Sequence, residues 1–240
     1  MPPPKNKSIR FNSIDIDNAF AKEAQFISQI KQDELNQCLM LWQAKTPTLV
    51  LPAGNKWPES DMLKQALAEQ SWQVLSRQTG GAPVPQSPGI INLSHIYIWP
   101  EKTPYSTAAA YINLCTVLND FFSQYGLESE AAETPFSYCD GDYNLNINGR
   151  KIVGTAQRVI LKKGGRKIVL AQAFILIDVL LDELIKPVNL CYEMLGKAPL
   201  VKASAHTCLF EHIQERPSID MLYQQLTQAF LRNTTPIKSD

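Results

Sequence analysis

Cys139-Asp140-Gly141-Asp142-Tyr143-Asn144-Leu145-Asn146-Ile147-Asn148-Gly149-Arg150-Lys151-Ile152-Val153-Gly154-Thr155-Ala156 decides how the chain is read. From Asn144 the stretch alternates polar and apolar, the pattern of a half-buried strand, and Asn148-Gly149 is the dipeptide that closes a tight hairpin. A second strand then opens at Lys151. Simple alternation puts Lys151 on one face with Val153 and Thr155, and Gly154 leaves room for a ligand to approach the backbone. The middle of the chain is therefore sheet. On its own, a lysine at a strand start reads as a solvated charge.

Working upstream, Ser76-Arg77-Gln78-Thr79-Gly80-Gly81-Ala82-Pro83-Val84-Pro85-Gln86 is a second punctuated stretch. Gly80-Gly81 can take conformations closed to other residues and bare backbone amides toward an anion or a carbonyl oxygen. Arg77 adds a fixed, forked charge. Read alone, the turn equally suits a plain strand connection.

Around these two stretches, helical and strand periodicities divide the chain. Phe20, Ala24, Ile27 and Ile30 give an amphipathic helix, and Leu35, Cys38, Leu39 and Trp42 a second helix or its continuation. Residues 48–51 and 72–75 read as strands, 59–70 as a helix, and 90–99 as a long strand. Ser106 caps a helix whose stripe runs from Tyr111 to Tyr125 before Gly126. Ile152–Leu161 and Ile168–Ile177 form a hairpin around Gly164-Gly165. Helices follow from about Asp182 to Met194, interrupted near Pro187, and from Ser218 to Phe230. Helices before, between and after a hairpin-rich middle predict an α+β fold with a mixed, mostly antiparallel sheet flanked by helices.

The 240 residues suit one large domain. The expected organisation is a loose arm over 1–13, a single domain over 14–232 and a disordered tail over 233–240. Lys and Arg number 23, as do Asp and Glu, so no bulk charge draws the chain to nucleic acid or acidic lipid. Apolar runs fall short of membrane-spanning length. No apolar stretch follows the first residues, so no signal peptide is expected. Five cysteines without paired spacing suit a reducing, cytoplasmic setting. Without Cys-x-x-Cys or His-x-x-x-His, no metal site is expected.

The two opening stretches together resemble the biotin/lipoate protein ligase family, in its lipoate branch. That branch carries an Arg-Arg-x-Ser/Thr-Gly-Gly-Gly-x-Val-x-His turn and, further on, a Lys-x-x-Gly-Ser/Thr-Ala strand. Ser76 to Gln86 is similar to the turn, Gly89-Ile90-Ile91-Asn92-Leu93-Ser94 to its continuation, and Lys151-Ile152-Val153-Gly154-Thr155-Ala156 to the strand. The likeness runs from about Ile14 to Phe230. Ser76, Ala82 and Gln86 depart from the family's Arg, Gly and His, and Tyr143-Asn144 stands where Asn-Asp is common.

The resemblance implies a class II aminoacyl-tRNA synthetase/biotin ligase-like catalytic domain with an acyl tunnel under the glycine turn. It implies attachment of a lipoyl or octanoyl group to a lysine of a lipoyl carrier domain, of a 2-oxoacid dehydrogenase E2 or of the glycine cleavage H protein. No tightly bound cofactor is implied. In the transferase branch a cysteine ahead of the lysine takes the acyl group from acyl carrier protein as a thioester. Cys139 and Lys151 are then the catalytic pair, since a neighbouring ammonium favours a nucleophilic thiolate. In the ligase branch ATP and magnesium make a lipoyl-adenylate against Lys151, often with help from a further domain or chain. A non-catalytic relative that binds an acyl chain or a carrier is the third reading. In all three, Arg77, Thr79, Gly80, Gly81, Ala82, Val84, Asn92, Gly154, Thr155 and Ala156 line the acyl site. His206 reads as structural rather than as a proton carrier, and His95 and His212 receive no role.

Overall fold

In the computed structural model, which describes residues 5–198 and 200–234, the hairpin belongs to a seven-stranded sheet. Its strands are β1 (Lys5–Ile14), β2 (Leu35–Ala44), β6 (Ile90–Ile98), β10 (Lys167–Leu176), β9 (Arg150–Leu161), β8 (Leu145–Ile147) and β7 (Glu130–Ala131), in that spatial order. Only β1 runs parallel to its neighbour. A second sheet of β4 (Gln73–Ser76), β3 (Thr48–Leu51) and β5 (Val84–Gln86) carries the glycine turn between β4 and β5. The α+β expectation holds.

Period-two alternation sorts the large sheet into two faces. Leu39, Leu41, Leu93, Tyr97, Ala171 and Ala173 pack with α3 (Thr107–Ser123) and α5 (Ile219–Asn233). Cys38, Met40, Trp42, Ile96 and Leu170 turn the other way, onto α1 (Ile16–Lys31). On that same side the small sheet, α2 (Asp61–Ala68) and α4 (Leu181–Met194) enclose a further core containing Tyr138, Phe174 and Leu176. The site lies where the last two cores meet.

Two expectations fail for physical reasons. Leu35 to Trp42 is strand β2, not helix: nine of its ten residues are buried, so apolar side chains fill both faces and no alternation is visible. Residues 5–13 form most of edge strand β1 rather than a loose arm; its ladder to β2 and the half-buried Ile9 and Phe11 hold an otherwise polar sequence in place. Pro187 sits inside α4 without ending it. The expected tail beyond Thr234 lies outside the described residues.

Candidate active site

The Asn148-Gly149 turn forms as expected, with φ of 52° and 70°. Beyond it the ladder slips: Leu145 pairs Val153, yet Asn146 pairs Lys151. This bulge sends the consecutive Ile152 and Val153 into one core. Lys151 therefore does not share a face with Val153 and Thr155. It turns under the rings of Tyr138 and Phe174, with Nζ 4.6 and 5.9 Å from their centroids.

Lys151 is fully buried and donates to the carbonyls of Tyr138 and Cys139, the latter at 3.1 Å. Burial pulls its pKa from 10.5 to about 8, against the raising effects of Cys139 and Asp140. A neutral amine has two hydrogens and one lone pair. With a pKa of about 8 the ammonium prevails at neutral pH, and the neutral amine, which can take a proton, gains ground as pH rises through that value. The Asp140 carboxylate accepts from the Thr134 and Gly141 amides at 2.6 and 3.0 Å, so it is occupied by its own loop.

Cys139 is half-buried and has a left-handed φ of 46°, a conformation that concentrates at functional sites in non-glycine residues. Its Sγ accepts from the Ala82 amide at 3.3 Å, so the sulfur rests on the glycine turn. Gly81 has φ 112°, and a Cβ there would lie 2.8 Å from that sulfur; the position needs glycine for conformation and for room. Arg77 stands beside the thiol and braces the turn, donating to the carbonyls of Val50, Gly80 and Ala82 at 3.1, 2.9 and 2.9 Å. The buried Thr79 hydroxyl has no partner, a costly state that a ligand oxygen would relieve.

His206 holds the thiol loop from below. Its Nε2 accepts from the Tyr138 amide at 3.3 Å, its ring stacks on Tyr138 at 4.6 Å, and its Nδ1 reaches the Lys202 carbonyl at 2.9 Å. Burial and Lys151 lower its pKa to about 4, which keeps it neutral and suits the structural role read from sequence.

A narrow cavity of about 40 Å³ joins the two motifs. Arg77, Thr79, Val84, Asn92, Cys139, Thr155 and Ala156 line it. Gly154 is brought near it but faces the Phe174 ring: a Cβ there would fall 1.9 Å from Cζ, so ring packing, not an open ligand approach, takes the space. Sequence reasoning missed Phe20, Trp42, Ser94, Gln172 and Phe174 on the wall. Trp42 was hidden by the helical misreading of β2; Ser94 ends the stretch similar to the family's strand but was given no role, and Gln172 carries no motif. Gln86, which departs from the family's histidine, closes a double amide bond with Asn92 at 2.9 Å each way.

A model of the lipoyl protein ligase A/B catalytic domain matches residues 15–231. An uncharacterized protein of Cupriavidus necator is 32% identical over 183 residues, 68% of this chain and 72% of that one. An octanoyl-[GcvH]:protein N-octanoyltransferase of Geobacillus kaustophilus is 27% identical, matching 63% of this chain. The chain spans about half of that transferase, 52% of its length. Among solved structures, a lipoate-protein ligase A bound with ATP superposes with TM-score 0.72 at 13% identity, covering 96% of this chain and 85% of that one, which shows a shared fold.

Proposed function

The chain belongs to the lipoyl protein ligase A/B catalytic domain family, and from that premise we propose that it moves an octanoyl or lipoyl group onto a lysine of a lipoyl carrier domain through a thioester on Cys139. The observation that carries this reading is the seat of the sulfur: it rests against the Ala82 amide, and the buried Lys151 nitrogen is held against the carbonyls of Tyr138 and of Cys139 itself.

The chemistry then balances. Lys151 takes the thiol proton as the sulfur attacks the acyl carbonyl of a carrier-bound donor. The glycine-turn amides stand ready for the oxyanion. As the intermediate collapses, the donor's leaving atom departs with the proton from Lys151. The neutral acceptor lysine amine attacks the thioester; as the C–S bond breaks an amide forms, and the proton lost by the amine passes by way of Lys151 to the departing sulfur. The name of the Geobacillus relative puts the donor octanoyl group on GcvH. Acyl carrier protein, the donor expected from sequence, would present its carbonyl as a thioester to the same sulfur.

An adenylate route finds less support. Ser76, where the family has an arginine, donates to Glu59 at 2.7 Å, and the Arg77 guanidinium is engaged by three carbonyls. Both leave a triphosphate short of cations. The test is acyl transfer to a lipoyl carrier domain without ATP. Wild type is expected to transfer from octanoyl–GcvH or octanoyl–acyl carrier protein, and Cys139→Ala to lose nearly all activity. Strict dependence on ATP, with Cys139→Ala unimpaired, would overturn the reading.

A further inference from the structure

On the face of the large sheet turned away from Cys139, strands β2, β6 and β10 with α3 and α5 line a half-open cavity of about 570 Å³. We propose that this cavity binds an uncharged, flat aromatic molecule carrying a hydrogen-bonding group, at a site separate from the acyl cavity. Strand β6 forms a wall of both. Its alternation sends Asn92 and Ser94 toward Cys139 and His95 and Tyr97 into the second space, with Leu93 between the two.

The volume lies in the range of small-molecule sites, ~300–1,000 Å³, whereas packed cores leave few voids larger than a water molecule. Among the described residues no Asp, Glu, Lys or Arg lines it, so a charged ligand would lose hydration without recompense. Its walls are aromatic. His95 stacks on Tyr97 at 4.3 Å, and Phe230 meets His95 edge-on at 4.7 Å. Offset and edge-on arrangements of this kind extend readily to another ring.

The polar groups point to a ligand as well. Tyr97 is 7% exposed, and its buried hydroxyl is paired with the Asn113 side chain on the cavity wall, a polar pair that a ligand group can join. His95 Nε2 lies 3.0 Å from the Gln37 carbonyl oxygen, which can only accept. The proton therefore sits on Nε2 and Nδ1 is left as an acceptor. Burial holds this imidazole neutral. The cavity thus offers a phenol and an imidazole acceptor beside stacked rings, a match for an aromatic amide or a neutral heterocycle.

The experiment uses the full chain and N-phenyl-1-naphthylamine, an uncharged fluorescent probe. Its emission should rise with wild type and with Cys139→Ala, and benzamide should displace it where benzoate does not. Asn113→Trp, an exposed position at the cavity wall, should abolish the rise. Tyr97→Phe should weaken benzamide roughly fivefold, the loss of about one net hydrogen bond. An absent rise, an undiminished rise in Asn113→Trp, equal displacement by benzoate, or competition by octanoate would overturn the proposal.

Discussion

Lys151 sits where solvent cannot reach it, and this one residue sets the pH behaviour of the proposed site. Its folded pKa, about 8, lies below the ordinary 10.5, so the amine becomes neutral on crossing that value. Because the neutral amine is the base, acylation of Cys139 should rise with pH to a plateau with a midpoint near 8; stopped-flow acylation between pH 6 and 9.5 reads this, and a flat profile would count against it. Glu23 gives a second residue-scale prediction. Burial raises it from 4.5 to about 6, and both its bonds, from Ser94 and Gln172, reach the one oxygen Oε1. A raised folded pKa favours the fold below pH 4.5, and that benefit is lost as pH rises through 6. Glu23→Gln keeps an acceptor at Oε1, so it should add up to roughly 2 kcal/mol at pH 7.5 and little at pH 4, measured by urea denaturation. At this scale the sequence exposed Cys139, Arg77 and Gly81 because they stand in motifs. It could not expose the burial of Lys151, which follows from the bulge and from Tyr138 closing over it.

At the scale of elements, local signals worked wherever one face alone is buried. Ser106 caps α3 as read, accepting from Ala109 at 3.2 Å, and Ser218, where the last helix was expected to start, caps α5 by accepting from Met221 at 3.3 Å. Ser218→Ala should cost about 1 kcal/mol in chemical denaturation. Local signals failed where tertiary structure took over. Strand β2 is covered by helices on both faces, so its apolar spacing matched a helix by accident, and β1 depends on a partner strand about thirty residues away. The bulge in β9 likewise has no signature in its own residues. Gly154 was read as room for a ligand to approach, but the group that approaches is Phe174 across the ladder. Gly154→Ala should therefore destabilise by about 3 kcal/mol through overpacking, and Phe174→Leu in the same chain should recover part of the loss. Additivity of the two changes would mean that they are not in contact.

At the scale of the molecule, one sheet separates two spaces. One face presents the motif residues to the narrow cavity at the junction of two cores; the other lines the wider cavity. Among the described residues no helix is long and apolar enough to cross a membrane. Family membership was legible from two short motifs in the right order, because glycine turns and a lysine strand are demanded by backbone geometry. The second cavity was not legible, since it arises from how α3 and α5 settle on β6. The central claim is a covalent one and is tested most directly by intact-protein mass spectrometry after mixing the chain with octanoyl–GcvH or octanoyl–acyl carrier protein, without ATP. The account predicts a gain of one octanoyl group on wild type, released by hydroxylamine and absent in Cys139→Ser. No adduct from either donor, with carrier acylation appearing only on addition of ATP and free octanoate, would contradict it.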